Sequence, residues 1–234
     1  MTNGVSIIIP TYDTPEYLDE CVNSIKKQKI DFEVEILIGI DGCENTLDYV
    51  KEHNQNFKDT NIFYFKKNVG PFIIKNNLIN ETKYEYILFF DSDDIMNRNM
   101  LKSFYDSISN YDIVNFNFCD FRTDIRNCVF FRQYAFGVFG IKKSVFNSFV
   151  GFQSWRCSAD TEFKLRTDFS GVKRYVKNGI SFFRRLHTKN LTVKSETNNK
   201  SEIRKGYKSI INDKMKSNKW ENPEIILSEF EKIN

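Results

Sequence analysis

Three aspartates within four positions, Asp91, Asp93 and Asp94, stand directly after the apolar run Ile87-Leu88-Phe89-Phe90. Four consecutive apolar residues read as a buried strand, so the carboxylates fall where that strand must end. Like charges gathered at the rim of a core cost stability unless a cation neutralises them. A divalent metal carrying a phosphate ligand would do so. A solvated acidic turn is the plainer alternative, and the elements around the triplet decide between the two.

Those elements alternate. Val5 to Pro10 reads as a buried first strand, and Pro15 stands where a first-turn proline opens a helix striped by Leu18, Cys21, Val22 and Ile25. Glu33 to Ile40 is a second strand ending at Asp41-Gly42, Thr46 to Phe57 a helix, and Asn61 to Phe65 a third strand. Gly70-Pro71 precedes a helix over Phe72 to Asn80, and Tyr86 to Phe90 is the fourth strand. Such β-α succession predicts a mostly parallel α/β sheet flanked by helices, with ligands beyond the carboxyl ends of the strands. Thr11 to Asp13, Asp41 and Asp91 to Asp94 all fall at those ends. Three acidic strand ends on one rim weigh against a chance turn. Further on, Asp112 to Phe118 and Phe130 to Ile141 read as strand-like. Ser144 to Val150 and Thr161 to Asp168 read as helices, Ile180 to Arg185 as a late strand, and the stretches from Ser201 and from Pro223 to Ile233 as helices.

The chain has 234 residues, enough for one large domain with a helical tail, and 41% of them are hydrophobic. Its 23 Phe are unusual, and with abundant Lys, Asn and Ile they fit a low-GC coding bias. Five cysteines, odd in number and without a Cys-X-X-Cys pair, predict neither a disulfide framework nor a zinc knuckle and fit a reducing cytoplasm. No apolar run approaches the roughly 18 residues of a membrane span, and none resembles a signal peptide, so membrane contact would be peripheral, at the inner face. Net charge is +3, but Lys164 to Lys219 holds 16 Lys or Arg against four acids, a balance of +12. That stretch is either a solvated basic surface or a contact for an anionic partner such as a diphosphate, a lipid headgroup or nucleic acid.

From residue 4 to about 190 the chain resembles the family 2 glycosyltransferases, which are inverting and have the GT-A fold. Val5 to Tyr12 is similar to the family's opening strand and "P-x-Y-N" loop, with Asp13 in place of Asn. Ile36 to Gly42 resembles the second strand, here with one terminal aspartate where two are common. Asn68-Val69-Gly70-Pro71 with Lys75-Asn76 is similar to the "N-x-G" loop and "R-N" pair, Lys replacing Arg. Asp91-Ser92-Asp93-Asp94 corresponds to the metal motif. Ala159-Asp160-Thr161-Glu162-Phe163 resembles "E-D-x-D-F", and Phe182 to His187 resembles a late strand ending in "Y-R-x-H".

The resemblance implies a GT-A domain over residues 1–190. Its nucleotide-sugar half runs to about residue 95 and its acceptor half over about 96–190, with a helical extension over 191–234. It implies a donor site made of Pro10, Thr11, Tyr12, Asp13, Asp41, Gly70, Lys75, Asp91, Ser92, Arg184 and Arg185. Asp93 and His187 would hold Mn²⁺ or Mg²⁺, Arg184 or Arg185 would pair with the diphosphate, and Asp160 would deprotonate the acceptor hydroxyl. Trp155, Ala159 and Glu162 would lie on the acceptor side. An aspartate reading an imide N–H favours uracil or thymine, hence a UDP- or dTDP-sugar donor. The acceptor expected first is a glycan or lipid-linked glycan in surface assembly. The alternative is a hydroxymethylated base in phage DNA, reached through the basic 164–219 segment in a host cytoplasm. A third reading, a non-catalytic nucleotide- or glycan-binding protein on this scaffold, rests on the missing second aspartate and on Ala159.

Overall fold

The computed structural model describes residues 3–233. β1 (Gly4–Thr11) is buried along its whole length and forms the middle of the sheet. It pairs in parallel with β2 (Glu33–Asp41) on one side and β4 (Tyr86–Phe89) on the other, Ile8 lying between Leu37 and Phe89. β3 (Asn61–Phe65) extends this parallel block beyond β2. Between these strands run α1 (Pro15–Lys26), α2 (Glu44–Glu52) and α3 (Pro71–Leu78), with Pro15 and Pro71 in first turns where the missing N–H costs nothing.

The second half is mixed. After the two-residue β5 (Ile95–Met96) come α4 (Met100–Ile108), β6 (Ile113–Phe121), β7 (Phe130–Arg132) and β8 (Phe139–Lys142). Then follow α5 (Lys143–Ser148), α6 (Ala159–Phe169), β9 (Arg174–Arg185), α7 (Glu202–Ser217) and β10 (Phe230–Ile233). The sheet order is β10-β3-β2-β1-β4-β8-β6-β9-β5, with β7 hydrogen-bonded to β6. β8 is antiparallel to β4 and β6, whereas β9 returns parallel to β6.

Strand alternation splits the core into two layers. Ile7 and Ile9 face Leu18, Val22, Phe104 and Phe116, while Ile8 faces Phe89, Phe139, Phe152 and Phe163. Much of the phenylalanine content is spent in the second layer, where Phe152 lies 4.9 Å from Phe163 and 5.3 Å from Phe89, ring centre to ring centre. Such offset and edge contacts add to simple burial.

Four expectations change. Pro223 to Ile233 is not a helix: it runs extended and ends as β10, antiparallel to β3. Its backbone is claimed by side chains, since Ser154 Oγ binds the Glu224 carbonyl (3.0 Å) and the Ile226 N–H (3.1 Å), and Asn77 Oδ1 accepts from Ser228 N–H (3.0 Å). Phe230 then packs on Phe63 and Phe65 and covers an otherwise bare sheet edge. The 191–234 extension is therefore helical only over α7. The stretch from Phe130 to Ile141 is two short strands separated by a cleft-lining segment. Finally, Cys119 and Cys128 are joined in a disulfide with their Cα atoms 5.9 Å apart, because the β6–β7 hairpin brings them together. Cys21, Cys43 and Cys157 are free.

Two glycines test the packing in opposite directions. A Cβ on Gly140 would fall 2.0 Å from the buried Phe104 ring, whereas at Gly206, inside α7, it would meet nothing within 4 Å. Urea unfolding should show Gly140→Ala destabilised by about 1–3 kcal/mol and Gly206→Ala stabilised by about 0.5–1 kcal/mol.

Candidate active site

A cleft of about 940 Å³ opens at the carboxyl ends of β1, β2 and β4, where parallel α/β sheets bind ligands. Pro10, Thr11 and Tyr12 line its floor. The Thr11 hydroxyl is buried without a hydrogen-bond partner beside the cleft. The predicted Asp13 lies outside this lining. Its backbone is left-handed (φ 53°), which Asp and Asn both tolerate, and its carboxylate and carbonyl bind Lys189 Nζ at 3.5 and 2.7 Å. It shapes the rim.

Asp41 closes β2 and is buried. Its Oδ1 accepts from Val69 N–H (2.6 Å) and its Oδ2 from Gly70 N–H (3.0 Å), pinning the loop that starts α3. Gly70 has φ 94°, a conformation that favours glycine. Burial raises the Asp41 carboxyl above its ordinary range, and the two N–H donors pull it back.

The triplet after β4 divides three ways. Asp91 is half exposed and meets the Lys75 ammonium at 3.5 Å. Lys75 itself is 2% exposed and also donates to the Gly137 carbonyl at 3.1 Å, so it is no surface lysine. Ser92 is buried, 3.4 Å from the Thr14 hydroxyl. Asp93 Oδ2 lies 2.7 Å from His187 Nε2 and 2.9 Å from Asn190 Nδ2. The Lys189 N–H points at His187 Nδ1 (3.2 Å), and the Asn190 amide nitrogen lies 2.9 Å from Nε2. Asp94 is buried and accepts from the Arg185 N–H (3.0 Å); burial first, then Asp93 and Asp91, push its carboxyl well up.

Asp160 stands in the first turn of α6, behind Ser158, whose φ of 67° turns the chain into the helix. Its Oδ1 accepts from Thr161 N–H (2.8 Å), a helix-start contact that leaves Oδ2 free for the cleft. A side chain on Gly137 would begin 3.6 Å from Asp160 Oδ2 and 3.8 Å from Asp91 Oδ2. The two carboxylates thus flank one gap that glycine keeps open. Burial raises the Asp160 carboxyl; the Thr161 N–H and Lys75 oppose this, and Asp91 adds to it.

The other predicted residues have further partners, and of these Arg184 and Arg185 also line the cleft. Arg185 is committed to Glu20 and to the Asp93 carbonyl, between the Tyr17 and Phe121 rings. Arg184 lies on the cleft wall but grips Asp120 with two bonds of 2.8 and 3.0 Å. Each guanidinium thus lines the cleft with a carboxylate already bound to it. Ala159 fills the second core layer, and Glu162 is fully buried between Arg166 and Lys214. Trp155 stacks on Tyr207 at 4.4 Å, outside the cleft lining. The wall beside Asp160 is built instead by Tyr134, Phe136 and Val138.

Sequence reasoning missed three cations. Arg156, Lys194 and Arg204 line the cleft and have no carboxylate partner among the described residues. Arg156 donates to the Asn68 carbonyl (3.2 Å), Lys194 lies 4.7 Å from the Tyr12 ring, and Arg204 donates to the Thr197 carbonyl (2.7 Å). Their only sequence signal was membership of, or nearness to, the basic stretch. Most other cations of that stretch near the cleft are paired internally: Lys164 and Arg174 with Asp168, Arg166 and Lys214 with Glu162, Lys189 with Asp13 and Glu16. Of the 16 Lys and Arg between Lys164 and Lys219, eight have no carboxylate partner among the described residues, so internal pairing answers only part of the charge excess.

The family model of glycosyl transferase family 2 matches residues 6–156. The chain belongs to that family. Among curated relatives, the poly(ribitol-phosphate) beta-N-acetylglucosaminyltransferase TarS of Staphylococcus aureus is 34% identical over 103 residues, 42% of this chain and 17% of TarS. Glycosyltransferase GlyG of Streptococcus pneumoniae is 31% identical over 113 residues, 48% of this chain and 37% of GlyG. The matched segments span less than half of either relative. Among solved structures, S. aureus TarS 1-349 with UDP-GlcNAc superposes with TM-score 0.66 at 19% identity, over 80% of this chain and 59% of that one. The mannosyltransferase PcManGT of Pyrobaculum calidifontis, in complex with GDP-Man and Mn²⁺, superposes with TM-score 0.69 at 12% identity, over 95% and 66%. The fold is GT-A.

Lys75 offers a test of this electrostatic layout that needs no substrate. It holds positive charge beside Asp160, so Lys75→Met should move the Asp160 titration to still higher pH. Carboxyl ¹³C NMR of the variant against wild type reads the direction.

Proposed function

We propose that this chain is an inverting glycosyltransferase moving a sugar from a UDP-sugar to an acceptor hydroxyl in surface glycan assembly. The observation that carries the reading is the pair Asp91 and Asp160 facing one gap across Gly137, in a cleft at the carboxyl ends of the parallel strands. Single displacement needs a base on one face of the anomeric carbon and a stabilised leaving group on the other. Asp160 is the base. Its raised proton affinity makes it a better acceptor of the hydroxyl proton than an exposed aspartate. Asp91, steered by Lys75, orients the donor sugar or ribose. Tyr12, Thr11 and Asp41 bind the base and ribose, and the imide N–H of uracil suits the Asp41 carboxylate.

Asp93 and His187 fit a divalent ion. A carboxylate oxygen and an imidazole nitrogen 2.7 Å apart on the cleft wall form a mixed donor pair that suits Mn²⁺, with Mg²⁺ as the alternative. Among the described residues no group of three His, Cys, Asp or Glu side chains gathers as a metal site, so diphosphate oxygens would complete the shell. Ligation through Nε2 calls for the proton on Nδ1, so the Lys189 N–H contact must open. When bound, the ion neutralises charge on the departing nucleoside diphosphate. The remaining charge falls to Arg156, Lys194 and Arg204 in place of Arg184 and Arg185. A surface-glycan acceptor is supported by the relatives' names, poly(ribitol-phosphate) transferases and a minor teichoic acid biosynthesis protein of Bacillus subtilis.

Two measurements test this. With UDP-sugars, Mn²⁺ and an acceptor preparation, Asp160→Asn should lower transfer by about 10²–10⁴-fold while UDP affinity stays nearly unchanged. A large loss of UDP affinity would remove Asp160 from the role of base. Calorimetry of Lys194→Ala and Arg204→Ala should show weaker UDP binding with uridine binding intact; equal losses for both ligands would place these cations away from the phosphates.

A further inference from the structure

The tip of the β6–β7 hairpin lies outside the cleft lining, and its apolar side chains are largely exposed. Val129, Phe130 and Phe131 are 48, 57 and 55% exposed, and Ile125 in the turn is 37% exposed. Successive strand residues point to opposite faces, so two neighbouring exposed phenylalanines place aromatic surface on both faces of this finger, with the Arg132 guanidinium lying over the Phe130 ring at 5.2 Å. The finger is nevertheless held firmly. Val129 N–H donates to the Asp120 carbonyl at 2.8 Å, Arg132 pairs with Asp120 at 3.2 Å, and Cys128 is bonded to Cys119. Its shape is therefore set without burying any of the apolar side chains it displays.

Charge narrows the identity of what covers them. Residues 122–132 carry Arg122, Arg126 and Arg132 against the single acid Asp124, a balance of +2. Arg126 and Arg132 are paired with Asp124 and Asp120, while Arg122 is exposed without a carboxylate partner among the described residues. β7 is only three residues long, a poor template for strand addition by another protein. Exposed aromatics with arginines at their flanks, on a narrow projection rather than a flat face, match the apolar core and anionic headgroups of a membrane interface.

We propose that this hairpin is a membrane-docking wedge, with Val129, Phe130 and Phe131 entering the headgroup–acyl boundary of an anionic bilayer and Arg122 at phosphate level. From Phe131 the chain passes directly to Tyr134 and Phe136 on the cleft wall beside Asp160. Docking therefore sets the cleft mouth against the lipid surface. On the transfer reading above, the acceptor hydroxyl then belongs to a lipid-carried molecule; the docking itself does not depend on that reading.

Flotation of the full chain with vesicles of mixed phosphatidylcholine and phosphatidylglycerol tests the wedge. The wild type should float with mixed vesicles and less with pure phosphatidylcholine. Phe130→Ser/Phe131→Ser should lose at least about tenfold in partition, with an unchanged far-ultraviolet circular dichroism spectrum. Three results would overturn the proposal: a wild type that stays in solution, a folded double variant that floats equally well, or light scattering showing the hairpin consumed in a dimer of this chain. Absence of UDP binding, by contrast, would overturn the transfer reading and leave the wedge standing.

Discussion

Negative charge concentrated at the end of β4 is the constraint around which the molecule is arranged. Three carboxylates within four residues cannot share a half-buried rim unless each is answered separately, and each is. Asp91 has the Lys75 ammonium, Asp93 has His187 and Asn190, and Asp94 turns inward to a backbone N–H of β9. The answering groups come from α3, from the turn after β9 and from β9 itself. Chain segments a hundred residues apart are therefore brought to one point by electrostatics as well as by the core. A carboxylate set satisfied in this way retains lone pairs on the open side, which a solvated acidic turn would have spent on water.

The two core layers position the acidic groups of the cleft. The donor carboxylates end a strand locked between β1 and β8, and Asp160 starts a helix whose Phe163 is embedded among Phe139, Phe146 and Phe152. Both carboxylates thus ride on elements that cannot shift without disturbing the same phenylalanine cluster. The spacing across Gly137 is set by rigid packing rather than by loop preference.

The nucleotide half was legible because its signals are local. Apolar runs closed by Asp, first-turn prolines at Pro15 and Pro71 and the Gly70 turn each announce their element within a few residues. The second half was not, because its strands are short and take their partners from far along the chain. β10 became a strand through Phe63, Phe65, Ser154 and Asn77, none of which is near it in sequence. α4 carries a clear stripe in Met100, Leu101, Phe104 and Ile108, a local signal of the same kind that the expected elements did not include. The arginines of β9 illustrate the deeper limit. A guanidinium beside a catalytic motif suggests phosphate, but whether it is free depends on carboxylates such as Glu20 and Asp120 that only the fold brings within reach.

Glu162 shows that neighbouring letters of one motif can serve different ends. Its carboxylate answers both Arg166 and Lys214, while Arg166 also donates to the Phe149 and Gly151 carbonyls. Dependence in this cluster runs one way. Loss of Lys214 leaves the buried acid with a cation still in place; loss of Glu162 strands two cations, one of them in the core. An acidic position two residues after Asp160 can therefore serve the core and stay out of the cleft lining.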